Sequence, residues 1–194
     1  MQLAFTPKTV FICAVVVTAG YFGYRMFLSD IETDDVATLI RIHRTSPGIK
    51  QVAVKKRILA LYDHDTHYQL LYEAVDDSSP VTQVLAIEVL TEKGEEDAVG
   101  KLVNRLNAKP DDPGVNRALA EAMEAFHENE ATVGAVDRLI ELTEPETDHK
   151  ARVAAHNALV AILESGAQVK FGEGMTARWT ELWRTHRKHK AKGK

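Results

Sequence analysis

The chain has 194 residues and a formal net charge of −4. Setting aside a hydrophobic N-terminus leaves about 160 residues, enough for one domain with a continuous core. Residues 184–194 carry six basic residues and no acidic one, so the rest of the chain is markedly acidic. An acidic body repels phosphates, which argues against a dedicated nucleic-acid-binding protein. The single cysteine, Cys13, excludes an intrachain disulfide.

Residues 9–28 form an apolar segment interrupted by one charge, Arg25. A helix of this length spans roughly 30 Å, which matches the hydrocarbon thickness of a bilayer. We therefore predict a single-pass membrane anchor over residues 9–28, after an N-terminal tail of residues 1–8. Two alternatives stay open: a cleaved signal peptide and a buried core helix.

The orientation of this anchor depends on few charges. Lys8 precedes the segment, whereas Arg25, Arg41 and Arg44 lie at its end or after it. Acidic residues after the segment count for little in setting topology. The prediction is a cytoplasmic N-terminus with the following domain on the extracytoplasmic, periplasmic side.

The remainder of the chain shows apolar residues at helical spacing and no alternation typical of strands, which predicts an all-α fold. Residues 29–48 are interpreted as a linker and a first helix over 34–44, with Thr33 as its N-cap. Residues 49–183 are interpreted as four antiparallel helix pairs. The predicted pairs are 49–62 with 66–75, 79–92 with 95–107, 112–127 with 131–143, and 147–164 with 174–189. Gly94 is expected to end its helix in a left-handed conformation.

Two of these pairs resemble each other in sequence. Val81, Leu85 and Val89 recur at an offset of 34 as Val115, Leu119 and Met123. The segment 103–106 recurs at an offset of 33 as 136–139. A period of roughly 33 to 36 residues, made of paired apolar helices, is typical of an α-solenoid.

Residues 77–81 begin with Asp77, continue through Pro80 to Val81 and are followed by Leu85, a pattern that resembles a HEAT repeat. The segment 151–159 shows the same rhythm, with Ala and Arg followed by Ala and Leu, as in bacterial HEAT-like repeats. The resemblance covers about residues 50–183. It implies a scaffold for protein–protein interaction, and a small bacterial subset of such proteins assists chromophore attachment.

The sequence departs from the HEAT pattern in having Thr82 and Asn116 where arginine is usual. A continuous arginine ladder along the first helices is therefore not expected. The tetratricopeptide repeat is the alternative, because its period is about 34 residues. Its Trp-Leu-Gly-Tyr order is missing from the first helices here, so HEAT-like pairs are preferred.

Residues 63–67 bring together four potential metal ligands: Asp63, His64, Asp65 and His67. Two histidines and a carboxylate would suit zinc. Such residues are also common as caps and solvated residues of short turns, and this interpretation is preferred. We predict no metal, no cofactor and no catalytic residue, because no histidine stands beside a recognisable nucleophile or acid.

Arg105 and Arg138 occupy equivalent positions on second helices, and Arg178 on the last helix is a possible third member. Second helices usually line the concave face of HEAT-like superhelices, where arginines can bind carboxylates of a partner. The alternative is that these arginines only solvate the surface. Trp179 and Trp183 are expected to close the end of the stack rather than to bind a partner.

The predicted function is that of a membrane-anchored interaction scaffold or accessory subunit, with another protein at the membrane as its partner. One alternative is a metal-dependent or chromophore-handling accessory enzyme. Another is a lipid- or nucleic-acid-binding module that uses the basic tail, residues 184–194. The oligomeric state is left open.

Overall fold

The structure, a computed structural model, describes residues 29–163 and 169–192. Within these ranges the chain forms nine α-helices and three short 3-10 helices, and contains no β-strand. The all-α prediction is therefore confirmed for this part of the chain. The anchor predicted over residues 9–28 lies outside the described residues. Among the helices that are described, none is both long and apolar enough to cross a bilayer.

The helices follow one another through short turns. Their bounds are α1 Val36–Thr45, α2 Gly48–Leu61, α3 His64–Ala74, α4 Pro80–Glu92, α5 Val99–Asn107, α6 Pro113–Ala125, α7 Val136–Glu141, α8 His149–Ile162 and α9 Met175–Lys192. The 3-10 helices are Ser29–Ile31, Glu96–Ala98 and Glu130–Ala135. The chain divides into two compact units, residues 1–61 and 62–194.

In the first unit, α1 and α2 pack against each other. Asp35 is the N-cap of α1, because its carboxylate accepts hydrogen bonds from the backbone N–H groups of Ala37 and Thr38, both at 3.2 Å. The prediction of Thr33 as the cap was wrong. The helix begins two residues later than expected, and the Thr33 hydroxyl instead accepts from the Asp35 N–H at 3.2 Å.

In the second unit the helices stack in two rows. The first helices form one row, in which α4 packs against α6 and α6 packs against α8. In the other row, α5 packs against the 3-10 helix Glu130–Ala135, and α7 packs against α9. Repeated pairs whose helices contact mainly their neighbours are the arrangement of an α-solenoid.

Prolines and capping carboxylates mark the starts of the first helices. Pro80 and Pro113 open α4 and α6, where the missing N–H of proline has no consequence. Asp112 accepts a hydrogen bond from the Val115 N–H at 3.0 Å. Asp148 caps α8 in the same way. Capping carboxylates therefore specify the starts of α6 and α8, whereas α4 relies on its proline, since the Ser79 side chain makes no capping hydrogen bond.

Two second helices, α5 and α7, begin later than predicted, whereas α3 begins two residues earlier, at His64. Gly94 has φ +69°, which confirms the left-handed end of α4. The chain then makes the 3-10 helix Glu96–Ala98 before α5 begins, and the 3-10 helix Glu130–Ala135 before α7 begins. In these segments i→i+3 bonds replace the i→i+4 bonds of an α-helix. The predicted helix 131–143 is therefore a 3-10 helix followed by only six α-helical residues.

The two inner pairs are related by a shift of 33 in residue number, in their first and their second helices alike. The buried residues of α4 are 82, 83, 85, 86, 87, 89 and 90, and those of α6 are 115, 116, 118, 119, 120, 122 and 123. Every member of the first set coincides with a member of the second after this shift. The sequence match of Val81 with Val115 was therefore one position out of register. Val81 is 37% exposed, whereas its supposed equivalent Val115 is 1% exposed.

The corrected register also changes which residue of α4 corresponds to the position where HEAT repeats usually have arginine. The residues four positions after the caps are Gln83, Asn116 and Arg152. The Gln83 amide donates to the Asp77 carbonyl, and the Asn116 amide donates to the Pro110 carbonyl at 2.7 Å. Both acceptors lie six positions before their donors. Thr82 was thus the wrong counterpart of Asn116, and amides at this position tie the preceding loop to the helix.

Candidate protein-binding surface

A groove of about 390 Å³ lies between the second helices α3 and α5. Its lining residues, called the tyrosine groove below, are Tyr72, Asp76, Lys101, Asn104, Arg105 and Ala108. The apolar residues of α5 point into the core at Leu102, Val103 and Leu106. Polar residues of the same helix lie on its opposite face and line the groove.

The charged groups of the tyrosine groove are held by one another. The Lys101 ammonium lies 3.0 Å from the Asp76 carboxylate and 4.2 Å from the centroid of the Tyr72 ring. The Arg105 guanidinium donates to the Gln83 side-chain oxygen at 3.0 Å, and its Nε lies 3.9 Å from Asp76. Side chains fixed in this way lose little freedom when a partner binds.

Aromatic rings extend the surface along α3. His64, Tyr68 and Tyr72 follow one another at every fourth position, and neighbouring rings have centroids 5.0 and 5.5 Å apart. At the start of this row the Tyr62 hydroxyl donates to Glu95 at 2.7 Å. Burial and this hydrogen bond raise the pKa of Tyr62, so its hydroxyl stays protonated and continues to donate.

Arg105 and Arg138, predicted to bind a partner, occupy equivalent positions on α5 and α7. Both side chains are mostly buried and already paired within the chain. The Arg138 guanidinium lies 2.8 Å from Glu141, which also receives the Lys109 ammonium at 2.8 Å. Arg178 is exposed on α9, beside the buried Trp179. The structure thus brings Arg105 into the tyrosine groove and leaves Arg178 elsewhere on the surface.

Arg138 lines a second groove of about 550 Å³ near the turns that follow α5 and α7. Five of its lining residues are acidic: Asp111, Glu141, Glu144, Glu146 and Asp148. Hydrogen bonds from Lys109 and Arg138 lower the pKa of Glu141. This groove therefore carries negative charge at neutral pH, although two cations line it.

The four potential metal ligands of the turn before α3 take part in local contacts. Asp63 caps α3, and its backbone N–H donates to His67 Nδ1 at 3.0 Å. His64 Nδ1 lies 2.8 Å from a Glu95 oxygen. Asp65 is exposed. In the part of the chain that the structure describes, no three His, Cys, Asp or Glu side chains are placed to hold a metal ion.

The C-terminal helix closes the stack with two tryptophans, as predicted. Trp179 is fully buried and Trp183 nearly so. Burial lowers the pKa of His156, and this neutral ring accepts the Trp179 indole N–H at 3.2 Å. The Trp183 N–H donates to Asp137 at 2.8 Å, and Arg187 of the basic tail binds the same carboxylate at 3.1 Å. The start of this tail is therefore attached to the repeat stack.

Sequence reasoning missed Tyr72, Asp76 and Lys101, which define the tyrosine groove together with Arg105. The spacing of Tyr68 and Tyr72 on a helix with an apolar opposite face was the available signal. The approach of Lys101 and Asp76 had no such signal, because Lys101 lies on α5 and Asp76 in the turn after α3, far away in sequence.

Residues 68–160 match the sequence family described as HEAT repeats. This segment runs from within α3 into α8 and is just under half of the chain. The match supports a HEAT-like repeat protein, in agreement with the stacked helix pairs. Neither the curated proteins nor the solved structures gave a match to the chain.

Proposed function

We propose that the chain is a membrane-anchored scaffold or accessory subunit that binds another protein through the tyrosine groove. HEAT repeats generally mediate protein–protein interaction, which supports the general class of function. The observation that carries the proposal is the groove itself, where Tyr72 and Arg105 lie together beside Lys101. Tyrosine and arginine are enriched among the residues that dominate binding energy at interfaces.

The groove suits a partner that presents a mixture of apolar and charged groups. The Tyr72 ring offers an apolar surface, and Asn104 is an exposed polar side chain next to it. Asp76 lies between Lys101 and the Arg105 Nε, so one carboxylate faces two cations and the groove carries a net positive charge. Arg178, which is exposed on α9, remains a proposed secondary contact with carboxylates of the partner. Arg138 also stays in that proposal, although the acidic residues of its groove oppose such a contact.

The membrane attachment is proposed from the apolar segment 9–28, with the repeat domain on the periplasmic side. A rigid stack tied to a bilayer restricts its partner search to proteins near that membrane, which raises their effective concentration. The expected absence of catalysis stays a prediction.

The proposal is tested by capturing the full-length chain from detergent-solubilised membranes and identifying proteins that co-purify in stoichiometric amount. Tyr72→Ala combined with Lys101→Glu should remove the co-purifying protein. The matched control is Asn157→Ala, which changes an exposed residue on α8 outside the tyrosine groove. Retention of the same partner by the groove variant would contradict the proposed binding surface.

A further inference from the structure

The helical pair α1–α2 has a charge opposite to that of the repeats. Residues 36–61 contain six basic residues and no acidic one, whereas residues 62–194 contain 16 basic and 24 acidic residues. The six are Arg41, Arg44, Lys50, Lys55, Lys56 and Arg57. A basic helical pair followed in sequence by an acidic domain indicates that the two parts meet different partners. The pair is called the basic hairpin below.

The basic hairpin also exposes apolar side chains. On α2, Ile49 is 80% exposed and Val52 is 58% exposed, while Val54 and Ile58 on the opposite face are fully buried. Ile49 and Val52 are three positions apart and therefore adjacent on the helix surface. Lys56 continues the same exposed face one turn later. This helix thus has one apolar face that packs in the core and a second, smaller apolar face that is exposed to solvent.

Three of the four acidic residues just before α1 are engaged inside the unit, and the fourth, Glu32, is exposed. Asp30 binds the Lys50 ammonium at 2.6 Å, and Asp34 binds the Arg57 guanidinium. Asp35 caps α1, and the Thr38 hydroxyl and backbone bonds lower the pKa of its carboxyl. These carboxylates therefore offset two of the cations without covering the exposed face of Ile49 and Val52.

We propose that the exposed face of α2, with Ile49, Val52 and Lys56, docks on an anionic lipid surface. Apolar side chains bordered by lysine and arginine are the combination that binds the headgroup region of a bilayer. In the sequence, the apolar segment 9–28 is followed directly by the 3-10 helix Ser29–Ile31, which packs against α2. The inference rests on the proposed anchor, which would hold the basic hairpin within reach of the bilayer.

The docking requires the hairpin to lie on the lipid, with the two apolar side chains among the headgroups and the cations beside phosphates. The attraction of the cations is long-ranged but is screened by salt, whereas insertion of Ile49 and Val52 is not. Both contributions are needed, because a few exposed cations or two apolar side chains alone bind a bilayer weakly.

The test uses the full-length chain in lipid nanodiscs of phosphatidylcholine, with or without phosphatidylglycerol. An environment-sensitive fluorophore is attached to Val52→Cys in a Cys13→Ser background, so that one thiol is labelled. In anionic discs the emission should shift to the blue and gain intensity, and added salt should reduce both changes. The matched control is a probe at Asn157→Cys, an exposed residue of α8, whose emission should be the same in both kinds of disc.

The labelled chain is then changed to Ile49→Glu with Lys56→Glu, which removes one apolar and one basic group from exposed positions and leaves the core intact. The blue shift in anionic discs should be lost while the far-UV circular dichroism is unchanged.

Three results would contradict the proposal. If the probe at position 52, without the two glutamate substitutions, shows solvent-like emission in anionic discs, the docking is overturned and the anchor is unaffected. Extraction of the chain from vesicles by alkaline buffer would overturn the anchor and the docking together. A shift that needs no lipid and grows with protein concentration would assign the face to a second copy of the chain, against the proposal.

Discussion

The two inner repeats, α4–α5 and α6–α7, bury equivalent residues but connect their helices differently. In the first repeat the turn passes through Gly94 at φ +69° and a 3-10 helix of three residues. In the second, the turn has no glycine at the helix end, and the 3-10 helix has six residues. Helix packing therefore sets the common repeat period, whereas the turns tolerate different chemistry because they lie at the surface.

The charged residues of the second helices differ between the repeats in the same way. Arg105 faces Asp76, just past the end of the preceding second helix α3, whereas Arg138 faces Glu141 on its own helix. The Glu141 carboxylate then receives Lys109 from the turn after α5. Equivalent arginines are thus tied into neighbouring repeats through different carboxylates. The two arginines share their position on the helix, but they do not share a carboxylate partner.

The largest expected loss of stability tests whether Leu90 of α4 and Met123 of α6 occupy equivalent positions in the two repeats. Both side chains are fully buried, and the shift that superimposes the buried residues of α4 on those of α6 pairs them. Leu90→Ala and Met123→Ala should each lower the free energy of unfolding by about 3 kcal/mol, because each leaves a cavity in the core. Urea unfolding in mild detergent, followed by far-UV circular dichroism, measures the loss.

The control for this pair is Glu124→Ala. The register that matches Val81 with Val115 would make Glu124 the counterpart of Leu90, whereas the structure places Glu124 at a half-exposed position. Its replacement should change the free energy of unfolding by less than about 0.5 kcal/mol. Equal losses for Leu90→Ala and Glu124→Ala would reinstate the register first read from the sequence.

A smaller effect distinguishes Val115 from Val81. Val115→Ala should cost about 2 kcal/mol, since the side chain is buried, whereas Val81→Ala should be nearly neutral because its side chain already contacts water. Differential scanning calorimetry of the two variants reports the contrast as a difference in Tm. A comparable drop in Tm for both variants would mean that the two valines have the same environment.

Much of this architecture is predictable from the sequence, because helix starts and apolar spacing are local. Pro80, Pro113 and Gly94 each specify their own backbone conformation, so the starts of the two inner pairs could be recognised. The register was missed because Val81 and Val115 are both valines, and the sequence does not show that one of them is exposed. The tyrosine groove was missed for a related reason. It depends on the distance between α3 and α5, which tertiary packing sets.

The amides that tie each loop to its helix provide a third comparison. Gln83→Ala and Asn116→Ala should each cost about 1 kcal/mol, because the carbonyl of Asp77 or Pro110 loses its side-chain donor. Asn157→Ala, at an exposed position on α8, is the control and should have little effect. Hydrogen exchange should show faster opening of the start of α4 in the first variant and of α6 in the second. Unchanged exchange at both helix starts would remove the proposed role of these amides.

The smallest effect concerns Glu141, for which the first repeat has no counterpart. The equivalent position in the first repeat is Ala108, so acid sensitivity of this contact should belong to the second repeat alone. Lys109 and Arg138 lower the pKa of Glu141 below the ordinary glutamate value. A carboxylate with a lowered pKa contributes stability that is fully present above the ordinary value and is lost as pH falls through the lowered one.

Glu141→Gln should therefore reduce the free energy of unfolding at neutral pH by a few tenths of a kcal/mol, since the pair is partly exposed. The difference from the unchanged chain should disappear as pH falls through the lowered pKa of Glu141, and added salt should shrink it at neutral pH. Urea midpoints measured across the acid range, at low and high salt, follow both trends. Parallel curves for the two chains down to the lowest pH would show that Lys109 and Arg138 do not stabilise the ionised form. The arginines of both repeats would then serve only to cover the surface with their stems, and the difference between Asp76 and Glu141 as partners would have no energetic consequence.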